Sequence, residues 1–276
     1  MSMRSSRIAA GAARLLVGGV LLAALGALVL ASLENRFIFF PMRELEADPS
    51  VARLPFETVH VSTADGLTLH GWFLPAPGTP TILYLHGNAG NVSHRLEMVK
   101  CLVEQGYPVL IMDYRGYGLS EGKPTEQGLY LDAQAMYGHL VRERGLAPSE
   151  IVAWGKSLGG AVAIDLATRE PLAGLVLEST FLNARAMARL ILPWWPERFV
   201  RAGLASDEKL ARLAVPKLII HGDRDSVVPV EQGQKLYELA APPKSLHVVE
   251  GGEHDDFLLN SRSDLLVRVE RFLKGE

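Results

Sequence analysis

A serine hydroxyl acts as a nucleophile when it stands clear of its neighbours and reaches a base that takes its proton. Gly155-Lys156-Ser157-Leu158-Gly159 has the spacing to present one. It follows the apolar run Ile151–Trp154 and opens into the small-residue stretch Gly160-Ala161-Val162-Ala163. Such a strand-to-helix turn is the G-x-S-x-G nucleophile elbow. The sharp turn forces the serine into a strained backbone conformation. Its flanking positions must then carry almost no side chain, hence Gly155 and Gly159. The helix start behind Ser157 aims free N–H groups at any developing oxyanion.

A nucleophilic serine also needs a base, an acid that orients the base, and an oxyanion site. With this elbow the acid and the histidine follow the serine in the chain. Downstream, Lys217-Leu218-Ile219-Ile220-His221-Gly222 reads as a buried strand opening into a loop with two carboxylates, Asp223 and Asp225. Leu246–Val249 is a further strand, followed by the turn Gly251-Gly252 and then His254. Seven other histidines compete for the role of base. His86 and His221 sit at strand ends and read as loop braces. His60 and His70 lie in an early hairpin, His94 and His139 on helical patterns, and His247 inside a strand. Only His254 follows the last strand on a Gly-Gly turn, so it is the expected base and acid.

Upstream, the strand Thr81–Leu85 ends in His86-Gly87-Asn88-Ala89-Gly90-Asn91. This segment, the elbow, Asp113-Tyr114-Arg115-Gly116-Tyr117-Gly118, His221-Gly222-Asp223-Arg224-Asp225 and Gly252-Glu253-His254 together resemble an α/β-hydrolase of the Bem46-like (ABHD13/ABHD17-like) group. Phe39-Phe40-Pro41 is also typical of that group. The resemblance runs from about Phe37 to the end of the chain. It implies a catalytic triad of Ser157, His254 and Asp225, the last from the Gly-x-x-Asp pattern that begins at Gly222. It implies an oxyanion hole made by the backbone N–H groups of Asn88 and Leu158. It implies cleavage of carboxylic esters or thioesters through an acyl-enzyme, with no cofactor and no metal.

Alternatives stand beside these roles. Glu178, at the end of the sixth apolar strand, is where some α/β-hydrolases keep their acid. A serine peptidase of the same fold would carry every one of these motifs, and a catalytically silent membrane-tethered binding protein could retain them. Lys156 could attract an anionic substrate, but it reads better as a solvated stem at the pocket rim. Asp113 reads as a structural brace. Asp255 and Asp256 beside His254 cannot all face one metal ion, so they are expected to cap and begin the last helix. Cys101 is the single cysteine and sits on a buried-type helical position, which excludes an internal disulfide.

These residues must be positioned by one sizeable domain, which 276 residues can supply. Short apolar strands alternate with amphipathic helical patterns at Arg95–Glu104, Gly128–Arg144, Gly160–Arg169, Glu231–Leu239 and Leu265–Leu273. This predicts an α/β fold with a mostly parallel sheet covered on both faces. The chemical motifs then fall at the C-terminal ends of strands, where ligands bind in open α/β sheets. An antiparallel hairpin over residues 56–74 precedes the parallel part. An insertion at about Phe181–Leu213 is expected to form a short helical cap, with Pro193-Trp194-Trp195-Pro196 packed against the core or turned toward lipid.

The net charge of −3 and the pI near 6.3, with no basic stripe, argue against a nucleic-acid partner. Ester-bearing small molecules or lipids are the expected substrates. Leu15–Leu33 is an apolar run of about 19 residues, enough to span hydrocarbon as a helix. Arg4, Arg7 and Arg14 precede it and mixed charges follow. The charge bias predicts a cytoplasmic N-terminus and a hydrolase domain, residues 37–276, on the far (periplasmic or extracellular) side. Residues 1–36 form the cytoplasmic tip and single-pass transmembrane anchor in this reading. A cleaved signal peptide ending near Val29-Leu30-Ala31 is the competing one.

Overall fold

Thr58, His60 and Ser62 alternate with Val59 and Val61, and that alternation becomes an edge strand with one face in the core. In the computed structural model, β1 (Glu57–Ser62) pairs antiparallel with β2 (Thr68–Leu74) around the Ala64-Asp65-Gly66 turn. The structure describes residues 38–194, 200–255 and 262–275, together with residues 18, 19, 26, 35 and 36. Side chains are described for these except at 262–264.

Six further strands follow: β3 (Thr81–Leu85), β4 (Val109–Met112), β5 (Ile151–Lys156), β6 (Gly174–Glu178), β7 (Lys217–Gly222) and β8 (Lys244–Val249). They complete an eight-stranded sheet in the order β8-β7-β6-β5-β3-β4-β2-β1. Only β1–β2 and β2–β4 pair antiparallel; the other neighbours are parallel. The central strands β3 to β7 are buried along their whole length. Burial on both faces is why they read as continuous apolar runs rather than alternating ones.

Connections between parallel strands are helical. α1 (Leu96–Glu104), α2 (Glu126–Gly138), α3 (Leu158–Ala167), α4 (Ala184–Ile191), α5 (Ser206–Leu210), α6 (Val230–Leu239) and α7 (Arg262–Leu273) follow in chain order. On one face, Ile82, Tyr84, Ile111, Trp154, Val176 and Ile220 pack with Leu96, Val99 and Leu102 of α1 and Leu265, Val269 and Leu273 of α7. The alternate strand residues turn to the opposite face, as the two-residue period requires. There α3 packs on β5 and β6, flanked by α2 and α5.

Local chemistry sets several helix starts. Thr125 caps α2 by accepting the Gly128 N–H, and Asn183 caps α4 by accepting the Ala186 N–H. The pattern over Gly128–Arg144 predicts one helix. Instead α2 stops at Gly138 and a π-helical turn, His139–Glu143, completes the segment.

The α/β-hydrolase fold expected from the motifs is present, with its mostly parallel sheet and helices. The insertion at 181–213 contains α4 and α5. The chain divides into two compact units, residues 1–39 and 40–276. No helix among the described residues is long and apolar enough to cross a membrane. The expected membrane segment, Leu15–Leu33, lies outside the described residues apart from Gly18, Gly19 and Gly26.

Candidate active site

Ser157 lies between the end of β5 and the start of α3, with φ 51° and ψ −114°. A side chain with a Cβ rarely adopts a positive φ, so surrounding contacts must hold it there. They do so on both sides. The Ser157 N–H donates to the Glu178 carbonyl at 2.8 Å, and the Ser157 carbonyl accepts the Gly160 N–H at 3.0 Å. A Cβ on Gly155 would collide with the backbone of Gly159 and Gly160. One on Gly159 would collide with the carbonyls of Leu85 and His86. The elbow is therefore packed directly on the end of β3.

That packing brings in the loop after β3. A Cβ built on Gly87 would lie 3.7 Å from the Ser157 Cβ, so this loop and the serine are neighbours. The Asn88 side chain pins the loop from outside. Its Oδ1 accepts the Tyr117 O–H at 2.9 Å and the Phe40 N–H at 3.2 Å. Phe40–Pro41 pairs parallel with Ala89–Gly90, and Asn91 Nδ2 donates to the carbonyls of Met42 at 3.2 Å and Glu44 at 2.6 Å. Residues 40–44 thus form a strap along residues 88–91. Leu158 opens α3, so its N–H has no carbonyl partner within the helix.

Histidine 86 and Asp113 lie beneath this loop, as structural braces. His86 Nδ1 is 2.7 Å from the Gly87 carbonyl, and Asp113 Oδ1 accepts the Val92 N–H at 2.9 Å. The two side chains are fully buried, 3.5 Å apart.

Two loops at the far strands meet next. His254 Nδ1 is 2.8 Å from Asp225 Oδ2. Asp225 Oδ1 accepts the N–H groups of Val227 at 2.9 Å and Val228 at 2.8 Å. His221 Nε2 donates to the Val228 carbonyl at 2.7 Å and lies 3.4 Å from Asp225 Oδ2. Burial disfavours the Asp225 anion. The hydrogen bonds from His221, His254 and Val228 outweigh burial and hold its carboxyl well below the usual carboxylate range. Asp223 points elsewhere: its Oδ1 accepts the Gly251 N–H at 2.7 Å and steadies the turn that carries His254.

One expectation needs correction. Lys156 is not a solvated stem. It is 6 % exposed, and its Nζ lies 3.4 Å from Glu178 Oε1 and 3.0 Å from Asp255 Oδ1. Burial opposes its charge, but the two carboxylates prevail and raise its pKa. Asp255 lies in a bend and pairs with Lys156; residues 256–261, where the cap of the last helix would be judged, lie outside the described residues. Asp256 is outside the described residues. Of the two placements expected for the tryptophans, Trp194 does not take the one against the core, being 74 % exposed, and Trp195 is outside the described residues.

Glu178, the rival acid, is committed elsewhere: its Oε2 accepts the Trp154 Nε1–H at 2.9 Å, and its Oε1 faces Lys156. Neither contact was legible in the sequence, because residues 154, 156, 178 and 255 meet only through the sheet. Among the described residues, no three His, Cys, Asp or Glu side chains are placed to share a metal ion.

A family model described as serine aminopeptidase, S33, matches residues 77–204 and 189–258. The chain belongs to this family. Similar proteins are found as well. An uncharacterized protein of Mycobacterium tuberculosis is 37% identical over 246 residues, 88% of each chain. An alpha/beta hydrolase domain-containing protein of Arabidopsis thaliana, WAV2, is 33% identical over 249 residues, 81% of this chain and 80% of its own. The lysophosphatidylserine lipase ABHD12 of Danio rerio is 41% identical over 189 residues, 61% of this chain and 49% of its own. Among solved structures, an esterase of Pyrococcus furiosus matches with a TM-score of 0.72 and 26% identity, over 86% of this chain and 98% of its own.

Proposed function

We propose that this chain is a membrane-anchored serine hydrolase that cleaves carboxylic ester or thioester bonds, of the Bem46-like kind. The bond between His254 Nδ1 and Asp225 Oδ2 carries the reading. An imidazole held through Nδ1 by a buried carboxylate has one tautomer favoured and keeps Nε2 for proton transfer. In the proposed reaction His254 Nε2 takes the Ser157 proton as Oγ attacks the carbonyl carbon. The backbone N–H groups of Asn88 and Leu158 receive the oxyanion. His254 then protonates the leaving alcohol or thiol. Water, deprotonated by His254, hydrolyses the acyl-enzyme and restores Ser157.

The esterase and lipase named among the relatives support an ester or lipid substrate. The run Leu15–Leu33 supports a single-pass anchor, and the preceding arginines support a cytoplasmic N-terminus with the hydrolase domain on the far side. A reporter fused after Glu276 that is active only in the cytoplasm would reverse that orientation.

The test of activity is fluorophosphonate labelling of the full chain beside Ser157→Ala, with p-nitrophenyl esters of increasing acyl length. Labelling and hydrolysis are expected, and both should vanish in the variant. The S33 family description favours a second reading, an aminopeptidase. Aminoacyl p-nitroanilides assayed on the same samples separate the two. Turnover of anilides without turnover of esters selects the peptidase.

A further inference from the structure

An ion-pair chain, buried at Glu178 and Lys156 and open to solvent at Asp255, links the nucleophile's turn to the histidine's loop. It begins at Trp154 inside β5, whose Nε1–H donates to Glu178 Oε2 at 2.9 Å. Glu178 is 3 % exposed, so its carboxylate requires a compensating cation. Lys156 supplies it, with Nζ 3.4 Å from Glu178 Oε1. The same ammonium reaches Asp255 Oδ1 at 3.0 Å. Lys156 precedes Ser157 in sequence, and Asp255 follows His254.

We infer that Lys156 and Asp255 are positioning residues that hold His254 in register with Ser157. The inference rests on the serine-hydrolase reading above. The two catalytic side chains belong to loops about 100 residues apart. The Asp225–His254 bond fixes the imidazole from one side only, through Nδ1. A ring held at one atom retains a swing about that bond, and a misplacement of about 1 Å can cost about a hundredfold in rate. The Lys156–Asp255 pair adds a second tether, one residue beyond the ring's own backbone. Lys156 is a fixed anchor, because Glu178 and the sheet immobilise it. Asp255 is the partner that approaches from the loop, with its side chain 76% exposed.

That exposure makes the tether separable from the fold. An ion pair with one partner in solvent contributes little to global stability. Removing the Asp255 charge should therefore alter the placement of His254 without unfolding the domain. Lys156 differs, since its loss also leaves Glu178 buried without a cation.

The experiment is Asp255→Asn in the full chain, with Lys156→Met and the double variant beside it. kcat and KM on a p-nitrophenyl ester, the rate of fluorophosphonate acylation, and Tm are measured for each. The expected result for Asp255→Asn is a five- to tenfold fall in both kcat and acylation rate, with KM and Tm near wild type. The double variant should be no slower than Lys156→Met alone, because the tether is broken once. A wild-type kcat in Asp255→Asn would overturn the inference, as would losses that multiply in the double variant. Failure of the serine-hydrolase reading is distinguishable. In that case Ser157→Ala would leave the wild-type labelling and turnover intact.

Discussion

His254 meets Asp225 through Nδ1 at 2.8 Å, with the carboxylate fully buried and the imidazole largely so. Both oxygens of that carboxylate are in use. Oδ1 receives two backbone N–H groups, while Oδ2 faces His254 and His221. The carboxylate is thus held by partners on both oxygens, as the proposed orienting acid must be.

An amide cannot replace it. Asp225→Asn keeps the shape, but its NH₂ cannot accept from His254, and the ring then loses its orientation. We expect kcat to fall by about 10³–10⁴-fold with little change in KM, as for the equivalent loss in other Ser-His-Asp enzymes. Steady-state ester hydrolysis on the purified variant measures this.

The same carboxylate makes stability depend on pH. Its pKa is depressed in the folded protein relative to an ordinary unfolded value of about 3.9. The folded state therefore binds fewer protons over that interval, and stability rises with pH through it. The contribution is complete above the unfolded value and is lost as pH falls below it. Thermal unfolding from pH 6 to pH 2 should show wild type losing more stability than Asp225→Asn. Parallel curves would contradict this.

In the proposed reaction Asn88 acts on the oxyanion loop through its side chain. Asn88→Ala removes the acceptor for the Tyr117 O–H and the Phe40 N–H, loosening residues 88–91 from the strap at 40–44. Outright loss of an oxyanion donor costs about 10²–10³-fold in kcat. A displaced donor should cost less, about tenfold. Asn88→Asp keeps an acceptor and should recover most of the loss in the same assay.

Arg115 is a stability residue rather than a catalytic one. Its guanidinium pairs with the buried Asp132 at 2.8 Å and with Asp65 at 2.7 Å, tying α2 and the β1–β2 turn to the loop after β4. Arg115→Ala leaves the Asp132 carboxylate buried without its cation. Breaking such a pair typically costs about 3–5 kcal/mol. Urea unfolding should report that loss, and Asp132→Asn in the same background should restore part of it.

The sequence by itself determined the strands, the sheet class and the residue types at the site. Period-two alternation over 58–62, unbroken apolar runs in β3 to β7, and glycines at 155 and 159 are local signals. Each follows from what a few neighbouring residues permit. Ser157, His254, Asp225 and the Asn88 loop stand out as candidates because each follows a recognisable strand end. The clamp of Lys156 between Glu178 and Asp255 was not legible, for the opposite reason. Whether a lysine is solvated or clamped depends on residues 22 and 99 positions away, which no local pattern encodes. Trp194 could not be placed either, since packing or exposure of an aromatic ring is settled by what surrounds it. The tertiary structure alone decided which carboxylate meets which cation, because parallel strands bring together side chains that the chain keeps far apart.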